Sequence, residues 1–310
     1  MNKNSLRKIA IFTVGNCDDV RVFSGFPYFF VKNLENKNFE LLKFDISPNK
    51  LLSKFFNSTI TRILNSAYKN LFYNKNYYDY SRSFLNSILI NRRIKKIIRN
   101  QKDIDLIIFL TYSFSAHKYT NIPIVLFSDD TFDKCINVFS ERKPNILEKI
   151  HVNKEKNNIN NADLTVAFFP ELKEFIEQNY NPKKIIYTGK VINLYNVSLN
   201  EAEVINNKLR KHNLLFIGRK HYIDGCKILI DAFLQLPNSI RDKYTLHIVG
   251  LNENNFKDRE LSNCNIKFYG RLNKDNNDEY ELYKNLLSDA RLFINPFRLG
   301  GTYLTSIEAM

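Results

Sequence analysis

The sequence predicts an α/β protein of two doubly wound domains, each a parallel sheet covered by helices, with the second cut shorter than the first. Three observations carry this. Short apolar or β-branched runs alternate with longer helical patterns along the chain, which is the rhythm of βαβ units. Several runs, such as "IDLIIFL" (104–110) and "IPIVLFS" (122–128), are apolar throughout, as strands covered on both faces tend to be. A polar stretch, "NVSLNEAEVINNKLRKHN" (196–213), interrupts the rhythm, which restarts at "LLFIGR" (214–219). The boundary is therefore placed at 205/206, giving Rossmann-like domains over 1–205 and 206–310.

In order, "KIAIFTV" (8–14) is the first strand. Its apolar run is short, leads into a glycine turn and has no small-residue cleavage site after it, so it does not read as a signal peptide. The helix "PYFFVKNLEN" follows, with Pro27 in the first turn, where a missing N–H is tolerated. Strands "FELLKFD" (39–45), "IDLIIFL", "IPIVLFS", "ADLTVAF" (162–168) and "KKIIYTG" complete the first sheet, and Pro170 opens the helix "PELKEFIEQNY". The second domain reads as strand "LLFIGR", helix "CKILIDAFLQL", strands "YTLHIVG" and "NIKFYG", helix "NDEYELYKNLLSDA", strand "RLFINPF", and the opening turns of a helix in "TSIEAM".

Composition narrows the class. With 44% hydrophobic and 25% charged residues the chain is globular, and no run approaches the roughly 18 apolar residues of a membrane-spanning helix. Cys17, Cys135, Cys226 and Cys264 are scattered without ligand spacing, which argues against a zinc site or disulfide framework and fits a reducing cytoplasm. The net charge of +14 is concentrated: residues 51–100 hold ten Lys/Arg against one acid, Asp79, with aromatics interleaved. Such a stretch is either a solvated helical face over an ordinary core or a surface that lies on an acidic membrane. Only charge points to nucleic acid, and none is expected as a partner.

Three loops at the ends of strands can carry chemistry, because ligands of such sheets bind beyond the carboxyl ends of strands. In "TVGNCDDVRVFSGFPYFF", Gly15 ends the first strand and Ser24–Gly25 cap a helix whose first N–H groups could hold an anion. After "LLFIGR", Gly218 turns the backbone and Arg219 offers a fork of donors suited to phosphate. In "FINPFRLGGTYLTSIEAM", Gly300 and Gly301 allow close backbone approach, Thr302 can cap the next helix, and Glu308 sits among Leu304, Ile307 and Ala309. Alone, such a Glu reads as solvent-facing.

Taken together, the ordered set "IGR", "LHIVG", "IKFYG", "LYKNLLSDARLFINPF" and "SIEAM" resembles the donor domain of retaining GT-B glycosyltransferases of the E-x7-E type, glycosyl transferases group 1. "DVRVFSGFPYFFVKNLE" and "IPIVLFSDDTF" resemble the SGTPYY-like and D-A-T-F segments of one branch, so the likeness runs over nearly the whole chain. The resemblance implies transfer of a sugar from a nucleoside diphosphate-sugar to an acceptor hydroxyl with retention, without a metal or other cofactor. It makes Glu308 the acceptor of the ribose hydroxyls, Gly300, Gly301 and Thr302 the diphosphate turn, and Arg219, after Gly218 and beside Lys220 at the donor site, the group that neutralises the leaving diphosphate. Arg271 and Leu272 meet the nucleobase, Gly15, Ser24 and Gly25 face the donor phosphates, and Asp129 lies on the acceptor side. Two positions depart from the pattern. Gly300 stands where the first glutamate falls, as in branches that read G-x-G-T. Asp224 replaces the lysine before the glycine of K-G, which leaves that charge to Lys220 or Lys227 and opens the alternative of a non-catalytic nucleotide-sugar-binding subunit. The expected acceptor is a surface glycan or lipid-linked saccharide. The expected location is the cytoplasm, with peripheral contact at the inner face of the plasma membrane through 51–100. The family continues past E-A-M, so further strands and helices are expected beyond Met310.

Overall fold

A computed structural model describes residues 8–72, 76–189, 201–259, 261, 264–296 and 304–309. The chain forms two compact units, Met1–Lys190 and Val191–Met310. Among the described residues the first unit has one parallel sheet of β1 (Lys8–Thr13), β2 (Glu40–Asp45), β3 (Leu106–Phe109), β4 (Ile124–Ser128), β5 (Leu164–Ala167) and β6 (Ile185–Tyr187), in the order β2-β1-β3-β4-β5-β6. Its helices are α1 (Phe26–Glu35), α2 (Lys50–Phe56), α3 (Arg62–Phe72), α4 (Phe84–Asn100), α5 (Phe132–Ser140), α6 (Ile146–Asn161) and α7 (Pro170–Asn179). Pro27 and Pro170 sit in the first turns of α1 and α7, as the sequence predicts. Each predicted strand is present, with ends that coincide or differ by up to four residues, since boundaries blur where hydrogen bonding fades.

The period of two explains why these strands are apolar throughout. Ala10 and Phe12 point into a cluster with Ile94, Ile107 and Phe109, whereas Ile9 and Ile11 point to the opposite face with Val31 and Ile108. Both faces are buried, so no polar alternation is left to read.

Polar residues pin the helices beside this sheet. Glu148 is fully buried and accepts from the Asn145 N–H (2.8 Å), the Tyr77 N–H (2.7 Å) and both terminal nitrogens of Arg142 (2.7 and 2.8 Å). Burial alone would raise its pKa, but Arg142 and the two N–H groups outweigh burial and hold it below its ordinary 4.5. The folded value lies below the unfolded one, so ionised Glu148 contributes stability fully above pH 4.5 and loses it as pH falls through the folded value. Urea midpoints are expected to fall as the pH drops below about 4.5, and Glu148→Gln to flatten that slope while lowering the plateau.

The second unit carries a parallel sheet of β7 (Asn213–Ile217), β8 (Thr245–Val249), β9 (Ile266–Gly270) and β10 (Ala290–Phe293), ordered β10-β7-β8-β9. Its helices are α8 (Glu201–Arg210), α9 (Ile223–Leu234), α10 (Asn238–Arg241), α11 (Asn277–Asp289) and α12 (Leu304–Ala309). Leu214, Phe216, Leu246 and Ile248 bury one face with Ile230 and Phe233 of α9. Leu215 and Val249 bury the other with Tyr283, Leu286 and Leu287 of α11. The stretch read as an interruption at 196–213 contains α8, which packs on α11 and β10. Its few apolar residues hid the helix, and two of them, Ile205 and Leu209, are themselves exposed.

Candidate functional site

In the second unit the strand order β10-β7-β8-β9 places the topological switch between β7 and β10, because the chain runs from β7 outward through β8 to β9 and then returns to the other side of β7. A crevice at the carboxyl ends of these two strands is where a doubly wound sheet receives its ligand. Gly218–Arg219–Lys220 follows β7, and the segment leading to α12 follows β10. Arg219 and Lys220 are exposed, and Arg219 opens a tight turn closed by the Tyr222 N–H on its carbonyl (2.8 Å).

Glycines let the strand ends crowd together here. A Cβ on Gly250, at the end of β8 with φ +93°, would lie 2.4 Å from the Gly218 carbonyl oxygen. The Gly250 N–H donates to the Gly270 carbonyl (2.5 Å), and the Gly218 N–H donates to Val249 (3.0 Å). Gly218 itself has no room for a Cβ, which would meet Phe216 Cζ at 2.6 Å. The exits of β7, β8 and β9 thus lie backbone against backbone, a floor that any side chain at Gly250 would break.

Glu308 is not surface decoration. Its side chain is 2% exposed, Lys274 Nζ lies 2.7 Å from Oε1, and Tyr283 Oη donates to Oε2. The Lys274 ammonium also sits 4.5 Å over the Tyr283 ring. Burial, reinforced by the Glu308 charge, raises the Tyr283 pKa well above the phenol range, so it stays a donor. Lys274 belongs to the loop after β9, and Tyr283 to α11. The loop is fixed by Glu279, which accepts from the Asn273 N–H (2.6 Å), and by Asn276, which caps α11 through the Glu279 N–H (3.1 Å). Arg271 is exposed and Leu272 packs on the α11 face of the sheet, so the predicted base loop is tethered to the predicted ribose carboxylate. With one donor on each oxygen among the described residues, Glu308 has lone pairs for two more, such as vicinal hydroxyls. Neither Lys274 nor Tyr283 was singled out in the sequence. Both are common residue types whose role appears only when β9, α11 and α12 meet.

Gly300, Gly301 and Thr302 lie outside the described residues. Of the two lysines considered in place of the family lysine, Lys227 faces Asp258 at 3.4 Å, whereas Lys220 is exposed. Asp224 is also exposed, in the first turn of α9, where the helix dipole favours an acid.

In the first unit the switch falls between β1 and β3. Gly15, at φ +117°, follows β1, and its N–H donates to Asp45 Oδ1 (3.0 Å), which also accepts from the Ser47 N–H (2.7 Å) and hydroxyl (2.6 Å). The α1 cap differs from expectation. Phe23, Ser24 and Gly25 are all left-handed (φ 45°, 56° and 85°), and the cap residue is Gly25, not the Ser24 side chain. The first turn of α1 therefore receives no side-chain acceptor from its cap.

Asp129 is exposed after β4, but its neighbour is the perturbed acid. Burial raises the Asp130 pKa to about 6, against the pull of Lys134. The same loop is held by buried Glu155, which accepts from the Phe132 N–H (2.8 Å), from Ser113 Oγ after β3 (2.8 Å) and faces His151 Nε2 (3.3 Å). Glu148, His151 and Glu155 are buried on α6 together with Val152 and Ile159, a polar seam within the inner side of the helix.

Residues 211–310 match the family described as Glycosyl transferases group 1. Over 158 residues, 48% of this chain, the sequence is 28% identical to an uncharacterized glycosyltransferase of Methanocaldococcus jannaschii, and the match covers 38% of that relative. The chain thus spans well under two thirds of that relative's length. The fold is similar to sucrose-phosphate synthase from Thermosynechococcus elongatus, with a TM-score of 0.62 and 14% identity over 98% of this chain and 78% of that one. It is also similar to α,α-trehalose 6-phosphate synthase from Burkholderia multivorans, with a TM-score of 0.60 and 12% identity over 98% and 81% of the two chains. A third likeness is to Anabaena HepE in complex with UDP-glucose, with a TM-score of 0.50 and 16% identity over 97% and 77%. The chain therefore has the α/β, GT-B fold of such glycosyltransferases, and its residues 211–310 match glycosyl transferases group 1.

Proposed function

We propose that this protein transfers a sugar from a nucleoside diphosphate donor to an acceptor hydroxyl, with retention and without a metal. The observation that carries the reading is the second-unit switch point, where Arg219 and Lys220 follow β7 and buried Glu308 follows β10. In this account Glu308 accepts the two ribose hydroxyls while Lys274 and Tyr283 fix its orientation. Arg271 and Leu272 border the base. Arg219, with Lys220 in place of the family lysine, stabilises the charge that develops on the leaving diphosphate, often the largest catalytic contribution. Gly300, Gly301 and Thr302 supply backbone N–H groups to the same diphosphate. In the first unit Gly15, Ser24 and Gly25 face the donor, and Asp129, with Asp130 titrating near neutrality beside it, serves the acceptor side. HepE is described in complex with UDP-glucose, which supports a nucleotide-sugar as the donor class. The acceptor is proposed to be a surface glycan or lipid-linked saccharide in the cytoplasm.

The test is turnover by the full chain against a panel of nucleotide-sugars, read by release of nucleoside diphosphate and by the anomeric NMR signals of the product. Release with retained configuration is expected. Binding without any turnover would instead assign a non-catalytic nucleotide-sugar-binding subunit. A smaller effect is expected at Tyr283→Phe. One neutral donor is removed from Glu308, about 1 kcal/mol, so the dissociation constant of the nucleoside diphosphate rises about fivefold in a calorimetric titration.

A further inference from the structure

We infer that residues 50–72 form a docking surface for an anionic lipid bilayer, with Leu51, Phe55 and Ile63 entering the interface and Lys54 and Arg62 meeting the headgroups. The helix α2, a π-turn at Asn57–Thr61 and α3 follow without a break from Lys50 to Phe72. Unlike an ordinary surface helix, it buries only part of its large apolar side chains and leaves the others exposed among its cations. Toward the protein, Phe56 packs on the rings of buried Tyr78 and Tyr80, Asn57 Oδ1 accepts from the Tyr80 N–H (2.9 Å) and from Thr61 Oγ1 (3.0 Å), and Thr61 is buried. Three other large apolar side chains point to solvent, with Leu51 80%, Phe55 67% and Ile63 69% exposed. Packing against this chain does not account for those three residues.

Charge selects the occupant. Residues 50–72 carry Lys50, Lys54, Arg62 and Lys69 and no acid. A second copy docked through the same face would set these cations against themselves, because a two-fold contact pairs a patch with its own image. An anionic bilayer accepts both components: its acyl boundary takes the apolar side chains and its headgroups attract the cations. Of the two readings of the basic stretch, this is the membrane one, confined to α2 and α3. No described helix is long and apolar enough to cross a membrane, so the contact is peripheral. The inference does not depend on nucleotide binding.

Co-sedimentation of the full chain with vesicles tests it. Vesicles with about 30% phosphatidylglycerol should pellet the protein, pure phosphatidylcholine should not, and added salt should weaken the binding. The double variant Phe55→Glu/Ile63→Glu should lower partitioning at least tenfold with an unchanged circular dichroism spectrum, because both positions are exposed. Lys54→Glu/Arg62→Glu should remove the preference for phosphatidylglycerol. The proposal is overturned if the protein ignores anionic vesicles or if the first double variant binds them as well as the parent. It is equally overturned if ultracentrifugation shows a dimer that this variant dissolves, because a second copy then covers the face.

Discussion

Glu308→Ala is expected to raise the dissociation constant of the bound nucleoside diphosphate by about a hundredfold or more, which removes its thermal stabilisation at moderate concentration. Two charge-assisted hydrogen bonds to ribose hydroxyls are lost, each worth about 1.5–3 kcal/mol. About 2.7 kcal/mol already corresponds to a hundredfold. The loss has a second component. Glu308 is buried against Lys274 and Tyr283, so its removal leaves a partly buried ammonium without its counter-charge. Ala is therefore also expected to lower the stability of the second unit. Glu308→Gln separates the components: it keeps the shape and one acceptor oxygen, so it should fold normally and weaken binding less than Ala. Equal binding by parent and both variants, in calorimetry, would remove Glu308 from the site.

The second large effect is structural. Gly250→Ala should destabilise the second unit by about 3 kcal/mol, because overpacking of 1–3 kcal/mol adds to about 1 kcal/mol of left-handed backbone strain. The new Cβ would lie 2.4 Å from the Gly218 carbonyl oxygen, and backbone cannot yield as a side-chain tip can. Gly250 is also held from the other side by its bond to Gly270, so relief at one contact worsens the other. Because Gly218 leads into Arg219 and Lys220, nucleotide affinity should fall with stability. Gly189→Ala is the control: its φ is +72°, but nothing lies within 4 Å of the added atom. Only the strain should appear there, about 1 kcal/mol. Hydrogen exchange of β7 and β8 amides reads the first effect, and a Gly250 variant that exchanges like the parent would contradict the account.

The legible part of the fold was the part set by local pattern. Runs such as "IDLIIFL" reveal a doubly covered strand because both faces demand apolar residues, and Pro27 and Pro170 mark helix starts because proline lacks an N–H. Helix α8 was hidden because its sequence is polar and its partner surfaces, α11 and β10, lie about 70 residues or more further along the chain. At the site, Arg219 and Glu308 could be named from ordered motifs, but Lys274 and Tyr283 could not. Their role depends on three separate elements meeting at one carboxylate, and no spacing encodes that. The same holds for Glu155, which joins the loops after β3 and β4 from within α6. Asp130 was passed over for Asp129 because exposure, not residue type, distinguishes them.

The most direct test of the central claim is a calorimetric titration of the full chain with nucleoside diphosphates of the different bases, each beside its monophosphate. The account predicts that at least one diphosphate binds, that it binds more tightly than its monophosphate because Arg219 and Lys220 serve the second phosphate, and that Arg219→Ala erases that difference. If no nucleoside diphosphate binds, or if mono- and diphosphate bind alike in the parent, the switch point of the second unit is not a donor site.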